Sequence, residues 1–386
     1  MQFSKISQIQ PSATVTINSL AQAKKARGER VFNLSAGEPL VETGHYFKNI
    51  LDWVIEHHET HYPPVAGIPD LRKESATWLN KTYDTNYTSA NTLITCGGKF
   101  GIYLAFQALL NPGDEVLIIS PYWVSYPSMV EIHNGKSTII HTEEKNQWKV
   151  DPKAIQDACT SKSKLLILNN AANPTGVFYT KQELAEIVKV AQENNLIILS
   201  DEVYSGMIYD NNKYTSLGTF KEYIDNIIVI QSCSKNFAMT GWRVGIVYAP
   251  EPLIKIMTKL QGQSITGTSI VSQFVALEAM KNATAIMPEI QKEMQNRRDI
   301  FIDTFNELFK ANLQKPAASF YAFIPLTALN AKTQSSVEFC KETLDKGNVA
   351  TVPGLAFGKE GYVRFSFGAK PQELKDALQA HAKFLL

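Results

Sequence analysis

Ser232-Cys233-Ser234-Lys235-Asn236-Phe237-Ala238-Met239-Thr240-Gly241-Trp242-Arg243 follows an apolar run and gathers a lysine, hydroxyls and an arginine into one loop. An unprotonated lysine amine attacks an aldehyde to form a Schiff base. Ser232 and Arg243 stand close enough in sequence to grip a phosphate from the two sides of that loop. Holding a phosphorylated aldehyde cofactor requires this combination, although Ser, Lys and Arg are also common in ordinary surface loops.

The segments that must position such a loop are apolar, β-branched runs at 115–119, 165–168, 196–199 and 227–230, separated by stretches of helical periodicity such as 181–193. Strands alternating with helices predict an α/β fold with a mostly parallel sheet covered on both faces. Ligands of open α/β sheets bind beyond the carboxyl ends of the strands. The residues following the four runs are Pro121-Tyr122-Trp123, the segment 169–176, Ser200-Asp201-Glu202-Val203-Tyr204, and the lysine loop. One rim should therefore carry Trp123, Asn173, Asp201 with Tyr204, and Lys235. Upstream, Thr95-Cys96-Gly97-Gly98-Lys99-Phe100-Gly101 precedes an apolar helical pattern over 102–110. Glycines at a helix start let backbone N–H groups approach an anion. The segment matches neither a Walker A loop nor a dinucleotide fingerprint, and a turn serving only packing is equally compatible with it.

If the cofactor is pyridoxal phosphate (PLP) on Lys235, a buried carboxylate is the group that keeps its ring nitrogen protonated, and Asp201 is the candidate. An aspartate buried at a strand end is costly without a cationic partner. Tyr204 and Asn173 are placed to hydrogen-bond the ring's phenolic oxygen, and the Trp123 indole to stack on the ring. Tyr204 and Trp123 as core aromatics, and Asn173 before Pro174 as a turn, are the alternatives. No arginine lies between Arg72 and Arg243, and after Arg298 only Arg364 remains. In Tyr362-Val363-Arg364-Phe365-Ser366-Phe367-Gly368, alternation places Arg364 opposite Val363 and Phe365. A guanidinium there can form a two-pronged pair with a substrate carboxylate, worth about 1.5–3 kcal/mol. A surface salt bridge is the competing reading.

At 386 residues the chain outgrows a single core. The expected division is a large cofactor domain over 45–285 and a smaller one from 1–44 and 286–386, the latter holding a long charged helix and short strands near 319–324 and 361–368. A net charge of +1 provides no field for nucleic acid or an anionic membrane and leaves a small molecule as the expected partner. The four cysteines, Cys96, Cys159, Cys233 and Cys340, lack paired spacing and are expected as buried thiols in a reducing cytosol. Residues 1–15 lack an apolar leader core, and no long apolar run occurs, so a soluble, unsecreted, cytoplasmic protein is expected. Asn-x-Thr triplets at Asn80, Asn86 and Asn282 are then chance matches. His58-Glu59-Thr60-His61 falls one residue short of zinc-protease spacing, and His57, His58 and His61 read as a solvated helix end rather than a metal site.

Over nearly its whole length the chain resembles the class I PLP-dependent aminotransferases of fold type I, specifically the bacterial aspartate aminotransferases. The matching segments include Ser35-Ala36-Gly37-Glu38-Pro39, Tyr62-Pro63-Pro64-Val65-Ala66-Gly67 and Gly97-Gly98-Lys99. They continue with Pro121-Tyr122-Trp123-Val124-Ser125-Tyr126-Pro127, Asn173-Pro174-Thr175-Gly176, Ser200-Asp201-Glu202-Val203-Tyr204, the lysine loop through Trp242-Arg243, and Val363-Arg364-Phe365-Ser366. The resemblance implies that Lys235 is the Schiff-base lysine and the proton carrier between the substrate α-carbon and the cofactor's C4′, with Asp201 on the ring nitrogen and Asn173 and Tyr204 on the ring oxygen. It further implies that the Gly98 and Lys99 amides, Ser232 and Arg243 hold the phosphate, and that Tyr62 reaches the phosphate of a neighbouring subunit in a homodimer with shared active sites. Gly37, Trp123, Asn173 and Arg364 would surround the substrate α-carboxylate.

For the side chain, animal-type relatives use an arginine absent from 263–273 here, whereas the bacterial subgroup this chain resembles uses a lysine matching Lys99 and a threonine matching Thr14. Two departures stand out. Gln10 replaces a lysine associated with prephenate as a second substrate, and Ala171-Ala172 replaces the usual Pro-Asn. The implied activity moves the amino group of L-aspartate to 2-oxoglutarate by a ping-pong mechanism, with an amino acid and a 2-oxo acid as partners. The alternatives are an aromatic or broad-range aminotransferase, a carbon-sulfur lyase on the same fold, a cofactor-binding regulator without turnover, for which the chain is expected to lack a DNA-binding domain, and a nucleotide-binding oxidoreductase, for which the glycine fingerprint is missing.

Overall fold

A computed structural model describes residues 5–385, so the first four residues of the expected N-terminal arm lie outside the described residues. The strands in chain order are β1 (Phe32–Asn33), β2 (Thr92–Thr95), β3 (Glu115–Ser120), β4 (Lys136–His141), β5 (Ser163–Asn169), β6 (Ile197–Asp201), β7 (Ile227–Ser232), β8 (Gly245–Tyr248), β9 (Tyr321–Pro325), β10 (Val349–Ala350), β11 (Val352–Pro353) and β12 (Tyr362–Ser366). Seven of them form the main sheet in the order β2-β8-β7-β6-β5-β3-β4. Neighbours from β4 to β7 run parallel, whereas β8 is antiparallel to both β7 and β2. The fold is the α/β, mostly parallel architecture of fold type I, as expected.

The central strands are continuous Val/Ile/Leu runs because helices cover both faces. Leu165, Leu166, Ile167 and Leu168 of β5 are all buried. The crossover from β5 to β6 is the helix Lys181–Glu193, which starts on a capping box between Thr180 and Glu183. It buries Leu184, Ile187, Val188 and Ala191, the i, i+3, i+4, i+7 stripe of a helix packed on a sheet. Register brings the carboxyl ends level, with Asn169 opposite Asp201 and Asp201 opposite Ile230. Strand order reverses around β3, so the segments after β3 and β5 flank the crevice where ligands of such sheets bind.

A second, antiparallel sheet, β11-β12-β9, sets Arg364 opposite Phe323 and Val352. The pair β1-β10 ties the segment before Ser35 to the C-terminal part of the chain. The long charged helix spans Ala283–Phe309 and buries Arg297 and Arg298.

One expectation needs correction. Cys233 and Cys340 are buried thiols, but Cys96 is exposed in the turn between β2 and the next helix, and Cys159 is half-buried at a helix end. Strands β2, β4 and β8 also went unanticipated. β4 is an edge strand with a largely wetted KSTIIH sequence, and β2 and β8 have only four residues each. His57, His58 and His61 are exposed beyond the helix Lys48–Glu56, and no cluster able to hold a metal ion occurs among the described residues. Among those residues no helix is long and apolar enough to cross a membrane.

Candidate active site

A cavity of about 500 Å³ opens where β3, β5, β6 and β7 end. That size suits a small cofactor with a substrate beside it. Of the residues singled out from the sequence, the cavity is lined by Lys235, Asp201, Tyr204, Asn173, Trp123, Gly98, Lys99, Ser232, Arg243, Gly37, Arg364 and Thr14. Tyr62 is not among them. Its side chain is exposed and stands in a separate surface groove beside 265–271.

Lys235 lies on the short helix Cys233–Asn236, which Ser232 caps by accepting from the Ser234 N–H at 3.1 Å. Its Nζ donates to the Gly37 carbonyl. Burial lowers Lys235 to about 8, with Arg364 and Arg243 adding to the effect and Glu38 and Asp201 opposing it. An amine held this low is unprotonated in a useful fraction of molecules, as a nucleophile or proton acceptor requires.

Asp201 is the last residue of β6 and is buried. Tyr126 donates to its Oδ2 at 2.5 Å, while Oδ1 receives only a long contact of 3.5 Å from the Val203 N–H. Burial pushes the carboxyl up to about 6 despite these donors. Such a group is short of a cation. Glu202, one residue on, points the other way, accepting from the Ser200 hydroxyl at 2.8 Å and the Leu217 N–H at 2.9 Å.

On the far wall Arg364 is buried, with Nη1 donating to Asn173 Oδ1 at 3.1 Å and Nη2 to the Ser35 carbonyl at 2.7 Å. Its Nε has no partner. A surface salt bridge is thereby ruled out. The guanidinium sits 4.3 Å above the ring of Tyr321, whose hydroxyl meets that of Tyr204 at 3.0 Å. Asn173 Nδ2 lies 3.5 Å from the Tyr204 hydroxyl. Burial raises the Tyr204 phenol well above its ordinary value, so it stays a donor.

The third wall is electropositive. Gly98 opens the helix Gly98–Leu109, and Gly97 before it has φ +80°. A Cβ at Gly97 would come within 2.5 Å of Arg243 Nη2, so the arginine lies directly against the helix start. Lys99 extends over Trp123, its Nζ 4.8 Å from the ring centroid, and burial followed by Arg243 lowers its pKa.

Reading the sequence missed the parts played here by Glu38, Ser234, Thr240 and Tyr321, which also line the cavity, and by Tyr126 behind Asp201. Ser234 and Thr240 sat inside the lysine loop, Glu38 directly after Gly37, and Tyr126 three residues after Trp123, so proximity to a motif was a usable signal for those four.

The residues present suit a phosphorylated pyridine aldehyde: a glycine-started helix with Arg243 for a dianion, a cation-seeking carboxylate, and a low-pKa amine. Family comparison agrees. The chain belongs to the class I and II aminotransferases, whose family model matches residues 29–380. Within that family it stands close to the aspartate aminotransferases. It is 32% identical to the aspartate/prephenate aminotransferase of Thermus thermophilus over 385 residues, covering 99% of this chain and 98% of that one. It is 30% identical to the Bacillus subtilis aspartate aminotransferase over 384 residues, covering 99% and 98%. The solved structure of the Thermus thermophilus aspartate aminotransferase with maleate superposes with a TM-score of 0.95 at 32% identity, over 100% of both chains. The protein is a PLP-dependent aminotransferase.

Proposed function

We propose that this aminotransferase moves the amino group of L-aspartate to 2-oxoglutarate, releasing oxaloacetate and L-glutamate in a ping-pong cycle. The observation that carries the reading is the pair of cations in one cavity. Arg364 is buried with a free Nε, and Lys99 is held over Trp123, so a dicarboxylic substrate has a partner for each carboxylate.

In this reading the bound PLP supplies an electron sink for the charge left when a bond to the substrate α-carbon breaks. Lys235 Nζ would carry the proton between the substrate α-carbon and the cofactor's C4′, its depressed pKa making it an acceptor. Asp201 holds the ring nitrogen protonated, and Tyr204 and Asn173 donate to the ring oxygen. The Gly98 and Lys99 amides, Ser232 and Arg243 hold the phosphate. Arg364, with Asn173, Gly37 and Trp123 around it, orients the α-carboxylate, and Lys99 with Thr14 takes the distal one. Tyr62 completes the phosphate site of a partner subunit in a cytoplasmic homodimer; its exposed ring supports that role. The division into 45–285 and 1–44 with 286–386 belongs to the same proposal. Prephenate is left out, because Gln10 stands where relatives that accept it resemble one another in carrying a lysine.

The test is the absorbance of the purified holoenzyme as L-aspartate and then 2-oxoglutarate are added. The expected result is loss of the visible cofactor band with aspartate and its return with 2-oxoglutarate. A band that ignores aspartate but answers to aromatic donors or cystathionine overturns the substrate.

Lys99→Ala separates donors. Losing one charged hydrogen bond, about 1.5–3 kcal/mol, lowers kcat/KM for aspartate about 10- to 100-fold. For phenylalanine, which has no distal carboxylate, kcat/KM should stay within about threefold. Equal loss for both donors removes Lys99 from the distal site.

A further inference from the structure

We propose that Tyr321 is a positioning residue of this aminotransferase: its hydroxyl donates to the Tyr204 hydroxyl and so leaves the Tyr204 proton turned into the cavity. The inference rests on the reading that Tyr204 donates to the cofactor's ring oxygen, and it adds what gives that donation its direction. A phenol has one proton to give. Were Tyr204 to give its proton to Tyr321, none would be left for the ring oxygen.

The fold brings the two hydroxyls together from separate sheets. Tyr204 follows β6, whereas Tyr321 opens β9, where it pairs with Ser366 of β12. Tyr321 and Phe323 share one face of β9, and Arg364 lies opposite Phe323, so the diagonal between Arg364 and Tyr321 sets the guanidinium over the ring at 4.3 Å. Both tyrosines are buried, and their hydroxyl oxygens are 3.0 Å apart. Gly37 leaves room for this arrangement, because a Cβ there would come within 2.8 Å of the Tyr321 hydroxyl oxygen.

The oxygen positions alone fit either direction, and two features choose one. First, the Arg364 guanidinium draws electron density from the Tyr321 ring, which makes that hydroxyl the better donor and the poorer acceptor. Burial raises the Tyr321 phenol, and Arg364 leads the groups that pull it back down. At Tyr204 burial and then Tyr321 raise the phenol, and Arg364 opposes them only after these. Second, Arg364 Nη1 donates to Asn173 Oδ1, which fixes that amide with Nδ2, a donor, 3.5 Å from the Tyr204 oxygen. With Tyr321 and Asn173 both donating, the lone pairs of the Tyr204 oxygen are engaged, and its proton is what remains for the cavity that Tyr204 lines. A phenol that accepts in this way is also a stronger donor, because linked hydrogen bonds polarise one another.

The test is the pH titration of the visible cofactor band in substrate-free holoenzyme, which does not depend on the choice of amino donor. Tyr321→Phe keeps the ring under Arg364 and removes only the hydroxyl. Weaker hydrogen bonding to the ring oxygen leaves more negative charge on it, so the cofactor on Lys235 keeps its proton to higher pH. Tyr204→Phe should raise the midpoint, Tyr321→Phe should raise it by about 0.3–1 pH unit, and the double variant should match Tyr204→Phe alone. An unmoved midpoint in Tyr321→Phe beside a raised one in Tyr204→Phe overturns the positioning role. So does a Tyr321→Phe shift that persists in full on the Tyr204→Phe background. If Tyr204→Phe itself moves nothing, the ring-oxygen reading falls and the inference with it. With L-aspartate, Tyr321→Phe should lower kcat about 3- to 10-fold and leave KM within about threefold. A KM that rises while kcat holds assigns the hydroxyl to the Arg364 carboxylate clamp and overturns the proposal.

Discussion

Lys235→Ala loses turnover by about 10⁴-fold or more while keeping the fold, because the variant lacks the one amine positioned to carry a proton at the substrate α-carbon. The expectation rests on where the amine is held. It lies at the carboxyl end of β7, donates to the Gly37 carbonyl, and is lowered to about 8 first by burial and then by Arg364 and Arg243. Lys99 is the other amine lining the cavity, but it is turned over Trp123 and does not substitute. The same depressed pKa makes a prediction about the apoprotein. Between about 8 and the ordinary lysine value the unfolded chain binds more protons than the folded one, so Lys235 makes apoprotein stability rise with pH across that window. Alanine removes this rise. A coupled assay with aspartate and 2-oxoglutarate, together with urea melts of both apoproteins at several pH values, checks the two consequences. Turnover within about tenfold of the parent would remove Lys235 from the proton transfer.

How much of this was legible beforehand depended on range. The lysine loop could be read because its groups fall within one short segment, and the rim because each chemistry-bearing residue follows a continuous apolar run. Such runs mark strands buried on both faces, and Leu165 to Leu168 are such a case. Strand β4 gave no such signal because an edge strand is wetted, and β8 was too short to show a period. Contacts that join distant parts of the chain were invisible. Tyr321 meets Tyr204 across 117 residues, and the Ser35 carbonyl receives Arg364 across 329. Arg364 illustrates the limit most clearly: alternation gave its face, but only packing shows that the face is interior, which turns an even choice between a salt bridge and a carboxylate clamp into a buried guanidinium whose Nε has no partner. Cys96 failed for the opposite reason. A cysteine's general preference for burial cannot anticipate that a turn will lift this one to the surface.

Asp201→Asn should slow the half-reaction with L-aspartate about 10²- to 10³-fold, the size of effect seen when one oriented electrostatic partner is removed from a dry site. The amide fills the same space and can still accept from Tyr126, so the change removes charge and little else. Charge is what the position is built around. Without a cation the carboxyl is pushed by burial up to about 6, and Tyr126 and the Val203 N–H only partly offset that cost. A protonated ring nitrogen beside it favours the ionised form, so loading the cofactor moves the carboxyl's titration below about 6. Activity in the parent should therefore fall only on the acid side of that value, as Asp201 takes up a proton and its hold on the ring is lost. The asparagine variant, having no such proton to gain, should be slow throughout and flat in that limb. Stopped-flow absorbance on mixing each holoenzyme with aspartate across the acid range measures both rate and limb. An asparagine variant within about threefold of the parent rate would show that the ring nitrogen draws its proton from elsewhere. A slow variant that keeps the parent's acid limb would separate the rate effect from the titration and assign the limb to a different group.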